Sequence, residues 1–398
     1  SLKFKVILFG FIFTFFSSFG QSYFLGLFNS SIRDELSITH GQFGSIYASA
    51  TLCSSLLLIW VGKKIDDVNI FKFAFFVTIL LSFACFFFSR ITSVFLLFIA
   101  IFLMRFSGQG MMSHTASTTI SRYFTKTRGR ALSISWFGLS SAEFIMPVLM
   151  VYLLTIIDWQ NLWLIFSITV LIILPIASFL LIKNLNLDSR EDSNKDIKEV
   201  EIKQWKRAEV IKDYRFYIIS SNMLAMPWIF TGFAVFQSFI QTSKGWGPYV
   251  IAQSFMSYSI FSVLTLFLSG FLIDKFTSRK LLIYMNIPLL LSVIVLFFFD
   301  TPVTAFIFLG LVGISNGFAN ILGSSTWAEL YGVKYLGSIK ALTTALMVFA
   351  TAFGTALFGY LIDIGFSVGD IAVVSGSYIF ISLILLFLVR KKLNPVII

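Results

Sequence analysis

Apolar runs of about twenty residues recur along the whole chain, and at 1.5 Å per residue each is long enough to cross the hydrocarbon layer of a bilayer. Twelve runs are readable, at 6–28, 42–62, 71–89, 93–122, 131–156, 161–183, 216–240, 249–273, 280–299, 302–328, 338–362 and 369–390. The pattern predicts an all-α polytopic membrane protein with twelve transmembrane helices, and it excludes a water-soluble globule. Composition agrees. The 398 residues are 57% hydrophobic and 12% charged, whereas soluble domains average about 25% charged residues. Most loops are short, so sequential helices are expected to be antiparallel neighbours.

The formal charge of +11 raises the possibility of a nucleic-acid partner. The placement of the charge argues against it. Only Arg33, Arg90 and Lys244 fall in loops on one side, and Arg105 lies inside a span, so 26 of the 30 Lys and Arg residues fall on the opposite side. This is the positive-inside asymmetry, which places both termini in the cytoplasm. The same excess allows contact with anionic lipid. Lys3 and Lys5 precede the first run and no cleavage site is evident after it, so the first span is read as uncleaved. Cys53 and Cys85 lie inside spans and are read as free thiols, with no disulfide framework. The two histidines, His40 and His114, are too few for a metal centre. No Walker-type phosphate loop is present, and no cofactor is implied.

The chain reads as two halves. GKKID at 62–66 and GFLID at 270–274 are 208 residues apart, as are Tyr123 and Tyr331, while RAL at 130–132 and KAL at 340–342 are 210 apart. A common offset at equivalent loops points to a duplication of six helices. The expected organisation is a bundle over 1–183, a charged cytoplasmic linker over 184–213 and a second bundle over 214–398. Within the linker, Ile197–Ile211 has the spacing of an interfacial amphipathic helix, although a solvated linker is the simpler reading.

These motifs resemble the major facilitator superfamily. The C-terminal loop has Gly270, Leu272, Asp274, Lys275, Arg279 and Lys280 of that family's G-x-L-x-D-[RK]-x-x-x-R-[RK] signature. The N-terminal copy keeps Gly62 and Asp66, with Lys64 at the third position and Asp67 where Arg is usual. RFSGQG at 105–110 is similar to the family's fourth-helix R-x-x-x-Q-G pattern. YFTKTRGRALSISWFG at 123–138 and ELYGVKYLGSIKAL at 329–342 resemble the bacterial branch of oxalate/formate and monocarboxylate transporters. That branch often has a basic residue in the eighth span, and 249–273 has none. The resemblance implies two pseudo-symmetric six-helix bundles, alternating access, a bacterial inner membrane and gating roles for Gly62, Asp66, Arg130, Gly270, Asp274 and Arg279.

The fourth span carries the chemistry. Arg105, Gln109, Met112, Ala116 and Thr119 share one face of an α-helix, and His114 lies near the opposite face. An ionised group at mid-bilayer costs about 2.5–3.5 kcal/mol on insertion scales, so neither face can meet lipid. Such groups are either simply satisfied inside the protein or mark a solute or proton path. The fifth span is the expected neighbour, with Glu143 level with His114 when depth is counted from Thr127–Arg128. Histidine and a desolvated glutamate are the residue types that exchange protons near neutrality, which makes Glu143 and His114 the candidates for proton coupling. Polar groups on other spans extend the candidate substrate site: Gln21 in the first, Asn222 and Gln237 in the seventh, Tyr258 in the eighth, Asn316 and Asn320 in the tenth, with Arg105 and Gln109 in the fourth.

The reading that unites these features is a monomeric secondary transporter moving a small organic anion, such as a monocarboxylate, with a proton gradient. Its expected partners are that small-molecule substrate and membrane lipid, with no nucleic acid. Export of amphipathic compounds and uncoupled exchange remain open at this stage. So, in a different class, does a transport-derived membrane sensor, which would usually bring a larger soluble domain than the thirty-residue linker.

Overall fold

The computed structural model describes residues 2–124, 128–185, 202–332 and 335–397. Twelve helices are long and apolar enough to span a membrane. They are α1 Leu2–Gly20, α2 His40–Val61, α3 Ile70–Phe88, α4 Val94–Tyr123, α5 Gly129–Leu153 and α6 Trp159–Ile182, then α7 Tyr214–Val235, α8 Val250–Phe276, α9 Ser278–Phe298, α10 Val303–Tyr331, α11 Ser338–Asp363 and α12 Val368–Lys392. The chain divides into two compact units, Ser1–Lys195 with α1–α6 and Asp196–Ile398 with α7–α12.

Local chemistry sets many helix starts. Four N-terminal N–H groups of any helix lack an internal partner, and short polar side chains supply one. Thr39 and Gln42 form a reciprocal capping box ahead of α2, with Gln42 N–H donating to Thr39 Oγ1 at 3.1 Å and Thr39 N–H to Gln42 Oε1 at 2.9 Å. Ser367 and Asp370 do the same for α12. Asn69, Ser93, Asp158 and Asp213 accept from the first turns of α3, α4, α6 and α7. Interruptions also have local causes. Pro288 lies just beyond Asn286, where α9 divides into Ser278–Met285 and Ile287–Phe298.

Packing follows one scheme in both units. The first helix of each packs on the fifth, the second on the fourth and the third on the sixth. Short loops therefore do not by themselves make sequential helices the main neighbours, although α9 packs on α10 at least as extensively as on α12. Backbone approach at small residues decides the pairs instead, because lipid supplies no hydrophobic drive for one apolar face over another. A Cβ on Gly138 of α5 would strike the Phe11 carbonyl of α1, and one on Gly354 of α11 would strike the Trp228 carbonyl of α7. In α10, Gly313 lies against the Tyr258 backbone and Gly317 against Ser262 of α8. The fourth span accordingly packs mainly on α2 and α1, with α5 a lesser neighbour, which corrects the expectation that α5 is its partner.

The linker also differs from expectation. Residues 186–201, including much of the anticipated interfacial helix, lie outside the described residues. Residues 202–213 fold onto the second unit with a single helical turn, Arg207–Val210. Ile202 bridges Ile397 antiparallel, and Lys203 N–H donates to the Val396 carbonyl at 2.8 Å. The Trp205 ring packs edge-on against Tyr331 at the end of α10, and the Trp205 backbone N–H donates to the Tyr331 carbonyl. Arg215, at the start of α7, ties the group together. Its Nε donates to both Asp213 carboxylate oxygens, at 3.1 and 2.9 Å, and its Nη1 to the carbonyls of Lys392 and Asn394. Tyr331 Oη donates to the same carboxylate at 3.1 Å.

Burial disfavours the charged form of Asp213, but the Arg215 side-chain and backbone hydrogen bonds and the guanidinium charge outweigh it. The carboxyl is held below its ordinary range. A depressed folded-state value contributes stability that is present above the unfolded value, about 3.9, and is lost as pH falls through the folded one. Asp213→Asn is expected to lower the thermal midpoint at pH 7, with the difference from wild type shrinking below about pH 4. Gly138→Val and Gly354→Val are each expected to cost about 1–3 kcal/mol by overpacking. Gly323→Ala, where an added Cβ meets nothing within 4 Å, should be near neutral in the same thermal unfolding assay.

Candidate functional site

Two departures from α-helical geometry meet inside the first unit. At the far end of α1, Ser17–Gly20 tightens into a 3₁₀ turn, Gln21 is extended, and a short helix resumes at Ser22–Leu25. Opposite it, α4 widens into a π-helix over Arg105–Met112. The two segments pack on each other through glycines, since a Cβ on Gly20 would strike the Met104 carbonyl and one on Gly108 would come within 2.7 Å of Gly20 N. Irregular backbone at membrane depth is tolerated where protein buries it or where it lines a cavity, and π segments concentrate at functional sites.

Arg105 sits in this junction, 4% exposed. Gly20 precedes the extended Gln21, so its carbonyl leaves the helical ladder, and Arg105 Nη1 donates to it at 2.8 Å. The guanidinium carbon lies 5.4 Å from the Tyr47 ring centroid, and the Tyr47 hydroxyl is bonded to Ser22 Oγ at 2.7 Å. The cation is thus partly satisfied by one carbonyl and one aromatic face. Its Nε is buried and has no acceptor among the described residues.

Glu143 of α5 approaches the same stretch of α1 from another side. It is 9% exposed, and its carboxyl acts electrostatically on the Tyr23 phenol, which also faces Ser18. The Thr14 hydroxyl donates to the Ser135 carbonyl at 2.6 Å and pins α5 against α1 just below. Glu143 makes no ion pair among the described residues.

The expected pairing of Glu143 with His114 is not found. His114 Nε2 is 2.9 Å from the Gly62 carbonyl at the end of α2, and Arg122 Nη1 donates to the Ile65 carbonyl at 3.3 Å. The helical count explains the error. α4 ends at Tyr123 and Phe124 is extended, so a helical count carried on to Thr127 does not hold. The face drawn through Arg105, Gln109, Met112, Ala116 and Thr119 assumed 3.6 residues per turn, which the π segment does not keep. Arg105, Met112, Ala116 and Thr119 are buried, as are Ser107 and Met111 off that face, whereas Gln109 is half-buried. The hydroxyls of Ser107, Thr115, Ser117 and Thr119 each donate to a carbonyl one turn back, so most of the polarity of α4 is satisfied by its own backbone.

In the second unit the candidates separate. Asn222 points to Ser382 of α12, and its carbonyl accepts from Asn286 of α9 at 2.6 Å, so it serves contacts inside the unit. Gln237 donates to the Ala234 carbonyl and borders a small apolar cavity with Phe230, Phe233, Trp246, Phe255 and Phe308. Tyr258 stacks on Phe230 at 4.9 Å. Asn316 donates to Ser262 at 2.7 Å, and Asn320 is exposed.

The signature-loop residues differ in their engagement. Glu329 of α10 accepts from the backbone N–H groups of Ser278 and Arg279 and pairs with the Arg279 guanidinium at 3.3 Å. Arg279 also donates to the Leu393 carbonyl. Asp274 and Arg130 are exposed, Gly270 has open space around its Cα, and the Asp66 side chain lies outside the described residues. Sequence reasoning did not single out Gly20, Ser22, Tyr23 or Tyr47. The run SSFGQSYF was a signal, since small and polar residues there interrupt an otherwise phenylalanine-rich span.

Residues 10–253 match the family model described as Major Facilitator Superfamily. No curated protein matches the chain in sequence. Among solved structures, the chain is similar to a bacterial homolog of the human lysosomal transporter Spinster in its inward-facing, unoccupied conformation. That match has a TM-score of 0.73 and 14% identity, covering 99% of this chain and 98% of the other. It is similar to the nucleoside transporter NupG with a TM-score of 0.71 and 14% identity over 99% of both chains. At such identity the likeness speaks to the fold.

The His114 contact leads to a stability test. His114→Leu removes the partner of the Gly62 carbonyl and is expected to cost about 1–3 kcal/mol. His114→Gln, which keeps a donor, should recover most of the loss in thermal unfolding of the detergent-solubilised protein.

Proposed function

We propose that this chain, which belongs to the Major Facilitator Superfamily, is a secondary transporter of a small organic anion, driven by a proton gradient. The observation that carries the reading is the buried Arg105 Nε without an acceptor. One end of the guanidinium is held by the Gly20 carbonyl, and the ring of Tyr47 supports it. A carboxylate is the group best matched to a planar cation that still offers a buried donor. A neutral solute would leave the charge uncompensated in a dry site.

Glu143 is the proposed proton carrier. It lies against the same α1 stretch as Arg105, so its charge state bears on the backbone that Arg105 holds. A proton on the carboxyl removes the desolvation cost of its charge and can shift the balance between inward- and outward-open states. His114 is assigned to holding α2 rather than to proton transfer. Within the second unit, Gln237, Tyr258 and Asn316 are proposed as solute contacts, and Asn222 is not. The membrane is proposed to be a bacterial inner membrane with both termini cytoplasmic, and the transporter to act as a monomer.

A panel of carboxylates, sulfonates, amines and nucleosides, screened by thermal shift on the purified protein, identifies the solute, since a ligand at 100 times its Kd adds about 2.7 kcal/mol to the native state. Uptake into proteoliposomes then tests the two residues. Arg105→Lys is expected to weaken apparent affinity for the anion about tenfold, because a point charge replaces the fork. Glu143→Gln is expected to abolish gradient-driven accumulation while leaving exchange. Unchanged affinity in a folded Arg105→Ala protein, or full accumulation in Glu143→Gln, would remove that residue from the scheme.

A further inference from the structure

Residues 202–213 and 390–397 gather an unbalanced charge at the end of the second unit from which α7 starts. They contain Lys203, Lys206, Arg207, Lys212, Arg390, Lys391 and Lys392 against two acids, Glu209 and Asp213. Both acids are consumed internally. Glu209 takes Lys203 Nζ at 3.0 Å and the Lys206 N–H at 2.8 Å. Asp213 takes Arg215 and Tyr331. Lys206, Arg207, Lys212, Arg390, Lys391 and Lys392 remain exposed, and none of them pairs with a carboxylate among the described residues.

The fold brings these cations together from two ends of the unit's sequence. The Ile202–Ile397 bridge and the Lys203–Val396 hydrogen bond lay the terminal segment beside the linker strand. Arg215 fixes the Lys392 and Asn394 carbonyls, and Arg279 fixes that of Leu393. Leu393 is buried in the core cluster with Val210, Phe216 and Tyr331, so the basic triplet 390–392 is anchored at its base. Next to the cations, Ile211, Tyr214 and Tyr217 are exposed where α7 starts. Apolar and tyrosine side chains beside lysines at a helix entry suit the headgroup layer, where a ring and an ammonium can each find their own medium.

We propose that this composite surface binds the headgroups of anionic phospholipids in the membrane that the chain spans. The partner follows from the chemistry: six unpaired cations ask for a diffuse array of negative charge, and the adjoining tyrosines and isoleucine require an apolar layer that a soluble acidic partner lacks. The inference stands apart from the solute, since none of these residues belongs to the proposed transport site.

The test uses the full chain in nanodiscs of phosphatidylcholine, with and without phosphatidylglycerol, read by thermal midpoint and by native mass spectrometry of retained lipid. Wild type is expected to be stabilised by phosphatidylglycerol and to retain it in preference to phosphatidylcholine. R207Q/K212Q/K391Q/K392Q should bind it about tenfold more weakly, whereas K3Q/K5Q/K64Q/K72Q, which removes the same charge from the first unit, should keep the preference. Raising the salt concentration should erase the wild-type effect. Equal loss in the two quadruple variants would show a net-charge effect without a site and overturn the proposal. So would a wild-type preference that survives high salt, a reading that needs no variant to fold.

Discussion

Hydrocarbon accepts no hydrogen bond, and the placement of many polar groups in this protein follows from that. A buried donor in a span gains most by finding its acceptor in the protein. Hydroxyls along α4 turn back onto the preceding turn, Ser82 and Ser167 bind each other's carbonyls across α3 and α6, and Ser315 reaches the Met285 carbonyl at the break in α9. Under that constraint the exceptions become informative. Arg105 uses a carbonyl that exists only because α1 stops being an α-helix at Gly20, and it retains a donor that the protein does not fill. The irregular turn of α1, the wide turn of α4 and the buried cation form one arrangement, since the glycine contact that lets the helices approach also delivers the carbonyl.

What the sequence reveals about this molecule depends on which force sets each feature. Span lengths are set by membrane thickness, so the twelve helices are readable within a few residues. Thr39, Asn69, Ser93 and Asp158 announce their helices because capping is local chemistry. The repeat offset anticipates the common packing scheme of the two units. Azimuth and depth are less legible. A helical wheel assumes 3.6 residues per turn, and eight residues of π-helix after Met104 break that assumption where it matters most. Asn222 and Asn316 have the same chemistry in the sequence, yet one serves α9 and α12 and the other α8, because tertiary packing chose their faces. The stretch 202–213 looked like solvated linker because its anchors, Lys392 and Asn394, lie nearly two hundred residues away.

The division of labour between the units is also visible. Buried ionisable groups at membrane depth, Arg105 and Glu143, belong to the first unit, and the second offers an apolar, aromatic cavity with Gln237 at its border. Charge in the second unit is concentrated instead at the end where linker and terminal segment meet.

The loop between the second and third helices of each unit is held from a different helix end and with opposite electrical sense. In the first, His114 and Arg122 of α4 meet carbonyls at the end of α2, the negative pole of that helix. In the second, Glu329 of α10 meets N–H groups at the start of α9, a positive pole. The two units therefore secure this loop with parts that cannot be exchanged. A chimera carrying the end of α10 in place of that of α4 would leave the Gly62 and Ile65 carbonyls without their donors, and the reciprocal graft would leave the Ser278 and Arg279 N–H groups without their acceptor. Each unit keeps the same helix pairing while the polarity of this joint is its own.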